Sequence, residues 1–208
     1  MKVRTQARRA AIIETAASLF QECGYEGASM NELAKRLGGS KTTLYGYFPS
    51  KEALFTAVVR TFATVHLAEA ASALPATVDD MATLKSTLLH FSRQFLQVLA
   101  NDAEAIALNR VVVAESGRSE VGELFHEAGP SECLAALAQL LGTSMDRGLL
   151  RRGDARVRAQ QLLSLITSEI SHRMYLRNPA PMALTAIRQI AKRAIDMFLG
   201  GAEACRPG

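Results

Sequence analysis

Residues 40–55 have the sequence SKTTLYGYFPSKEALF and carry the strongest structural signal in the chain. Ser40 is a favourable N-cap residue and predicts a helix that begins at Lys41 and is broken at Pro49. Ser50 predicts the cap of the following helix in the same way. The segment therefore predicts a short helix that is closely followed by another.

The preceding residues predict one more short helix and a tight turn. Ser29 and Glu32 have the spacing of a capping box, in which the two residues satisfy each other's free backbone N–H groups. The helix that they open is expected to end at Gly38-Gly39, because glycine is typical just beyond a helix C-terminus. Two short helices joined by a turn that contains glycine are typical of a helix-turn-helix, whose second helix enters the major groove of DNA.

The second helix has suitable side chains for base recognition in its first turn. Lys41 can donate to guanine, and Thr42 and Thr43 each offer a hydroxyl and a methyl group. Leu44 is expected to face the other way and to pack on the preceding helix. The motif therefore predicts a DNA-binding surface at the start of this helix.

Residues 40–55 resemble the DNA-binding signature of the TetR family of transcriptional regulators, and the resemblance extends over residues 8–60. Residues 114–116, 123–125 and 127–130 resemble an AefR-type C-terminal region. By the resemblance to the DNA-binding signature, Lys41, Thr42, Thr43 and Tyr45 match groove-facing positions, and Tyr47 and Lys51 match phosphate-contacting ones. The DNA-binding set is then Ser29, Ser40, Lys41, Thr42, Thr43, Tyr45, Gly46, Tyr47 and Lys51. Arg4, Arg8 and Arg9 could add contacts from an N-terminal arm.

The resemblance implies an all-α protein with a three-helix DNA-binding domain, a long helix, and a helical bundle for ligand binding and dimerisation. We expect the first domain at residues 1–50, the second at 51–200, and a tail at 201–208. The family pattern implies a homodimer that binds a palindromic operator on double-stranded DNA. It also implies that a small-molecule effector releases the protein from DNA. Repression rather than activation is expected because it is usual in the family. The three widely spaced cysteines favour reduced thiols in a cytoplasmic protein.

Two positions depart from the family pattern. Gly39 stands where the family commonly has Val, and Gly46 stands inside the recognition helix, where a larger side chain is frequent. A glycine in a helix interior costs about 1 kcal/mol relative to alanine. We therefore expect the affinity or the operator sequence to differ from that of other members.

The charge of the chain is unevenly distributed. The first 60 residues contain nine Lys/Arg and five Asp/Glu, whereas the remaining residues contain 15 of each. A basic segment attached to a neutral body favours contact of that segment with a polyanion. The three cysteines form no CxxC pair, and the longest uncharged stretch has 13 residues. A disulfide framework, a transmembrane helix and a signal peptide are therefore not expected.

Apolar periodicity predicts helices through the rest of the chain. The first helix should be capped by Thr5 and stop at Gly24, and the helix capped by Ser50 should run to about Leu74. The further predicted helices lie near 80–100, 102–115, 119–128, 131–147, 154–177 and 182–199.

The C-terminal body is expected to contain a sensor pocket and a dimer interface. An apolar or aromatic effector is expected, although pocket and core residues have the same composition in a helical bundle. The candidate pocket residues are Phe91, Phe95, Leu99, Val112, Phe125, Ile166 and Met174. The candidate dimer residues are Leu165, Glu169, Ile187, Ala191, Ala194, Ile195 and Phe198, which could instead close the core of one chain.

No GxSxG, GxGxxG or HExxH motif is present, so neither catalytic activity nor a cofactor is expected. One metal-binding alternative remains open. Glu123 and His126 form one ExxH word and Glu169 and His172 form another, and two such words on bundle helices can contribute to a di-metal carboxylate site. Glu69, Glu104 or Glu115 would supply the further carboxylates.

Overall fold

The computed structural model describes residues 5–202, and every regular element in this range is a helix. The all-α prediction is therefore confirmed. The α-helices are α1 (Gln6–Gly27), α2 (Met30–Arg36), α3 (Lys41–Tyr47), α4 (Lys51–Val58), α5 (Val65–Ser72), α6 (Met81–Asn101), α7 (Ala103–Glu115), α8 (Val121–Glu127), α9 (Pro130–Asp146), α10 (Ala155–Ser168) and α11 (Leu184–Ala202). Among these helices, none is both long and apolar enough to cross a membrane.

The chain forms two compact units. The first contains residues 5–65 together with Ala103–Gly129, and the second contains His66–Asp102 and residues 130–202. Thus α7 and α8 group with the N-terminal helices, and α1 packs on α7. The predicted division at residue 50 was based on the helix-turn-helix motif, and as a functional boundary it stays a prediction.

An aromatic cluster lies in the core of the first unit. The ring of Phe20 lies 5.7 Å from that of Tyr25, and the Phe55 ring meets both edge-on at 5.3 and 5.1 Å. All three side chains are buried. Since aromatic rings bury large apolar areas and prefer such geometries, this cluster joins α1 to α4.

The core of the second unit is aliphatic. Helices α6, α9, α10 and α11 meet there through fully buried side chains such as Leu88, Leu140, Ile166 and Ile195. The apolar positions follow the helical period, so each helix buries one stripe. Because each stripe follows the helical period, the helices predicted near 80–100, 131–147 and 182–199 are confirmed as α6, α9 and α11.

The long helix expected after Ser50 is present but interrupted. A π-helical turn, Val59–Ala63, follows α4, and the backbone leaves helical geometry at Thr64. The Thr64 hydroxyl donates to the carbonyl oxygen of Ala128 at 3.0 Å in a buried position. This long-range bond stabilises the break, and periodicity along one helix could not reveal it.

The helix expected over 154–177 also ends early. α10 stops at Ser168 and is followed by a 3₁₀ turn, Ser171–Tyr175. The hydroxyls of Thr167 and Ser168 donate to the backbone carbonyls of Leu163 and Leu165 at 2.9 and 2.8 Å. Such side-chain bonds compete with the helical backbone ladder and favour its termination.

Candidate DNA-binding surface

The helix-turn-helix has the local geometry that its sequence predicts. The Ser29 hydroxyl accepts from the Glu32 backbone N–H, and the Ser40 hydroxyl accepts from that of Thr43, both at 3.1 Å. Gly38 lies in the left-handed region with φ +60°. It closes α2 in a Schellman motif, in which the last N–H groups return to the carbonyls of the final turn.

The capping box at the start of α2 is formed only in part. Ser29 caps the helix, but the Glu32 carboxylate accepts from Arg36 Nε at 3.3 Å. Arg36 also pairs with Glu22 at 2.7 Å. The Glu32 carboxylate, which was expected to cap the helix, therefore pairs with Arg36 instead.

Helix α3 buries one side chain, Leu44, and packs the half-buried ring of Tyr47 against the same core, while its remaining side chains are exposed. Lys41, Thr42 and Thr43 are exposed, and 45% of the Tyr45 surface is accessible. The Thr43 hydroxyl also lies 2.9 Å from that of Ser40. Gly46 is half-buried, so the outer surface of α3 is formed mainly by its first turn and Tyr45.

The structure gives intramolecular contacts to the two residues that the resemblance assigned to DNA phosphates. The Tyr47 hydroxyl accepts from the Thr5 backbone N–H at 3.1 Å. The Lys51 ammonium lies 4.2 Å from the centroid of the Tyr25 ring, a cation–π distance. The phosphate role of both residues stays a prediction, with these contacts fixing their side chains.

The Tyr25 ring that Lys51 contacts is itself held by a hydrogen bond to Glu52. Burial raises the pKa of Tyr25, and the nearby Glu52 carboxylate raises it further. The phenol therefore keeps its proton and donates to Glu52 Oε1 at 3.2 Å. Hydrogen bonding from Ser50 lowers the pKa of Glu52 and so favours its charged, accepting form.

The first turn of α1 contacts the helix-turn-helix directly. Arg8 Nη2 donates to the Leu37 carbonyl at 2.9 Å, and the Arg9 guanidinium lies 5.0 Å from the Phe48 ring centroid. A groove of about 910 Å³ runs between this turn, residues 37–40 and α3. Arg8 and Arg9 thus make intramolecular contacts that the sequence did not indicate, whereas Arg4 lies outside the described residues.

The candidate pocket residues are divided between the two compact units. Val112 is buried and Phe125 half-buried in the core of the first unit. In the second unit, Phe91 and Ile166 are buried, and Phe95 and Leu99 pack partly buried against the same core. Met174 is half-buried in the 3₁₀ turn. Their role in a pocket stays a prediction.

A polar cleft that sequence reasoning missed lies in the second unit. It has a volume of about 390 Å³ and is lined by His66, Glu69, Gln94, Gln97, Val98, Asn101 and Asp102. His66 Nδ1 lies 3.0 Å from Glu69 Oε2, and Asn101 bonds to both backbone groups of Met182. Within α6 the lining positions 94, 97, 98 and 101 share the helical spacing, but their sequence does not show that they lie beside α5, so the cleft is defined only by the tertiary structure.

Most candidate dimer residues lie inside a single chain. Ile187, Ala191, Ala194, Ile195 and Phe198 are all buried in the core of the second unit. Leu165 is half-buried beside a groove between α10 and α11, which also exposes Val157 and Met197. Glu169 forms two hydrogen bonds with Arg193 at 2.8 and 2.6 Å. The buried stripe of α11 thus contributes to the core, and its exposed apolar residues were not in the candidate set.

The metal-binding alternative is not supported. Within residues 5–202, no group of three or more His, Cys, Asp or Glu side chains is placed to hold a metal ion. His126 and His172 are exposed and belong to different compact units. Glu169, which one of the two ExxH words requires, is instead paired with Arg193.

Two family models match the chain over most of its length. The family described as "Bacterial regulatory proteins, tetR family" matches residues 12–58, and "AefR-like transcriptional repressor, C-terminal domain" matches residues 86–201. The first match contains the whole helix-turn-helix, and the second covers α7 to α10, most of α6 and nearly all of α11.

Individual relatives agree with these family matches. The solved structure of the flavonoid-responsive regulator FrrA is 32% identical, with 96% of this chain and 98% of that chain covered and a TM-score of 0.77. The transcriptional activator FasR of Mycolicibacterium smegmatis is 28% identical over 84% of this chain and 75% of its own length. The transcriptional regulator RutR of Escherichia coli is 42% identical over 62 residues, which span 30% of this chain and only 29% of RutR.

Proposed function

The chain belongs to the TetR family of transcriptional regulators, and on that basis we propose that it binds operator DNA through the first turn of α3. One observation carries this proposal. Helix α3 buries only Leu44, while Lys41, Thr42 and Tyr45 stand exposed on the helix that the motif assigns to the major groove. The excess of basic residues among the first 60 supports the same assignment, because phosphate attraction provides much of the affinity for DNA.

Fluorescence anisotropy with DNA from upstream of the chain's own gene tests the proposal. Purified protein is titrated into this DNA and into a scrambled duplex at several salt concentrations. We expect preference for the upstream DNA and a steep loss of affinity with salt, about 0.9 in log–log slope for each phosphate neutralised. The double variant Lys41→Ala/Thr42→Ala should lose the preference, because it removes the side chains proposed to contact the bases. Both side chains are exposed, so their removal leaves the core intact.

Arg152→Ala is the matched control for charge. It removes one positive charge from an exposed position in the other compact unit. It should bind DNA like the wild-type protein. The DNA-binding proposal fails if no duplex from the gene's surroundings binds more tightly than the scrambled one, or if the control variant loses as much affinity as the α3 variant.

We further propose that the chain acts as a homodimer through the surface between α10 and α11. Met197 and Val157 are 70% and 44% exposed there, beside the half-buried Leu165. A two-fold pair of such faces would make an isologous interface and present two recognition helices to a palindromic site. Met197→Glu should shift sedimentation at micromolar concentration from a dimer to a 22.5 kDa monomer. A wild-type protein that sediments as a monomer would contradict the proposal.

The polar cleft of the second unit is our candidate effector site. Its volume lies within the range of small-molecule sites, about 300–1,000 Å³. The amides of Gln94 and Gln97 and the apolar side chain of Val98 suit a molecule with an aromatic body and hydroxyl groups. The relative FrrA is described as flavonoid-responsive, so we propose hydroxylated aromatic compounds as the first class to test.

Release from DNA is the expected effect of such a ligand, and repression the expected output. The AefR-like description of the C-terminal match supports repression, whereas FasR is described as an activator. A reporter fused to the upstream DNA separates the two outcomes. Deleting the chain's gene should raise reporter expression, and an effective ligand should raise it only when the protein is present. Lower expression after deletion would make the chain an activator.

A further inference from the structure

Three groups in the first turn of α1 contact both ends of the segment that contains α3. Arg8 donates to the carbonyl of Leu37, which ends α2, and the Thr5 N–H donates to the hydroxyl of Tyr47, the last residue of α3. Arg9 stacks its guanidinium near the ring of Phe48, which follows α3. These contacts act together with the packing of Leu44 and of the Tyr47 ring in fixing the direction of α3.

Glycine is favoured at positions 38 and 39 of the turn for different physical reasons. Gly38 adopts φ +60°, which favours glycine, and a Cβ atom built on it would meet no atom within 4 Å. Gly39 has no such backbone requirement, but its Cβ would lie 3.1 Å from Arg8 Nη2. That distance is closer than Cβ contacts normally are, so a side chain at Gly39 would press on the guanidinium. Gly39 therefore leaves the space through which Arg8 reaches Leu37.

The position of Arg8 is also electrostatically favourable. The last carbonyls of a helix carry partial negative charge and attract cations. The Arg8 guanidinium bonds to the carbonyl of Leu37 at the C-terminus of α2, at a partly buried position. The charge thus stabilises the turn between α2 and α3 from the side of α1.

The Tyr47 hydroxyl transmits the position of α1 to the end of α3. Its oxygen accepts from the Thr5 N–H, so its own O–H remains available to donate to an acceptor such as a phosphate oxygen. A shift of Thr5 would therefore shift the group that the family pattern assigns to the DNA backbone.

We propose that Arg8 is a positioning residue for DNA recognition, and that Gly39 is its partner. The Arg8–Leu37 bond, together with the Thr5–Tyr47 bond, sets the direction in which α3 presents Lys41 and Thr42. This inference rests on the proposed DNA binding, but it predicts a property of the free protein as well.

A double-mutant cycle in DNA binding tests the pairing. Arg8→Ala, Gly39→Ala and the double variant are titrated by anisotropy against the preferred and the scrambled duplex. Arg8→Ala should weaken the preferred complex about tenfold and the scrambled complex far less, because the loss concerns orientation. Gly39→Ala should weaken the preferred complex several-fold in the wild-type background and hardly at all in the Arg8→Ala background, as expected for residues in contact.

The salt dependence separates positioning from direct contact. A side chain that neutralises a phosphate adds about 0.9 to the log–log salt slope. A positioning arginine leaves that slope unchanged when it is replaced. A slope that falls by about 0.9 in Arg8→Ala would overturn the proposal, as would an equal cost of Gly39→Ala in both backgrounds.

Amide hydrogen exchange of the free protein gives a readout that needs no DNA. In Arg8→Ala, the amides of α3 should exchange several-fold faster than in the wild-type protein, while those of α9 stay unchanged. Uniformly faster exchange, with a lower unfolding midpoint, would indicate a merely structural role and overturn the proposal, and so would unchanged exchange in α3. A protein that shows the expected exchange but binds no DNA would contradict the proposed function and leave the positioning contact standing.

Discussion

Helices α3 and α11 differ in how they are held. α3 buries one of its seven residues, whereas α11 buries eight of its 19. Besides the buried Leu44, the contacts that hold α3 lie at its ends: the Ser40 cap, the ring and hydroxyl of Tyr47, and the bond from Arg8 of α1 to Leu37 in the preceding turn. The contacts that hold α11 run along its whole apolar stripe.

This difference separates the residues that can contact DNA from those that stabilise the chain. A helix held at its ends keeps its outer side chains free for a ligand. A helix held by its stripe contributes to stability in proportion to the apolar area that it buries. The comparison therefore predicts large stability losses from changes in the α11 stripe, and changes in DNA binding without stability loss from the exposed face of α3.

Ile195→Ala should have the largest effect. Ile195 is fully buried on α11, and truncation of a buried isoleucine to alanine costs about 2–5 kcal/mol through lost burial and a residual cavity. The free energy of unfolding in urea measures the loss. Gln189→Ala on the exposed face of the same helix is the control and should change it by less than about 0.5 kcal/mol. A loss below about 1 kcal/mol for Ile195→Ala would show that the stripe does not hold α11.

Lys41→Ala should show the opposite pattern. The exposed Lys41 side chain begins α3, and a base contact from it would contribute about 1–3 kcal/mol to the preference for the correct DNA. This free energy corresponds to a fall of about 5- to 150-fold in the ratio of preferred to scrambled affinity. The free energy of unfolding should change by less than about 0.5 kcal/mol. A variant that loses stability and keeps its DNA preference would break the comparison between the helices.

The same contrast explains what the sequence could predict. Caps are local, and the predicted serine caps at Ser29, Ser40 and Ser50 are confirmed, as is the Thr5 cap. The family resemblance is confirmed by the two family models, which match residues 12–58 and 86–201.

Tertiary contacts were harder to predict. The break at Thr64 depends on Ala128, which lies 64 positions away in the sequence. The polar cleft depends on α5 lying beside α6, a tertiary contact that the helical spacing of the α6 residues does not reveal. In the α11 stripe, apolar spacing alone could not separate core residues from interface residues, and the structure places Ile187, Ala191 and Ile195 in the core.

Ser40→Ala should have an intermediate effect on stability. Its hydroxyl caps α3 at 3.1 Å from the Thr43 backbone nitrogen, and loss of a serine N-cap typically costs about 1 kcal/mol. Because α3 has so little apolar burial, we expect faster amide exchange in α3 in addition to that loss. Ser40→Asn is the control, since asparagine also caps well and should retain most of the stability. Equal stability of the alanine variant and the wild type would show that α3 does not depend on this cap.

Glu169→Gln should have the smallest effect, and its pH dependence has a definite sign. The two hydrogen bonds from Arg193 lower the pKa of Glu169 below its usual value of 4.5. The ion pair therefore contributes stability that is present above pH 4.5 and is lost as the pH falls through the lowered pKa of the folded state.

Solvent screens this pair, because both side chains are about half exposed. We expect Glu169→Gln to lower the thermal unfolding midpoint by no more than about 2 °C at pH 6 and low salt. The difference should shrink as the pH falls below 4.5, and it should also shrink in high salt. Measurements at one fixed protein concentration keep any contribution from association constant. A loss at pH 6 larger than that of Ser40→Ala would mean that α11 also depends on a polar contact, and the contrast between the two helices would then fail.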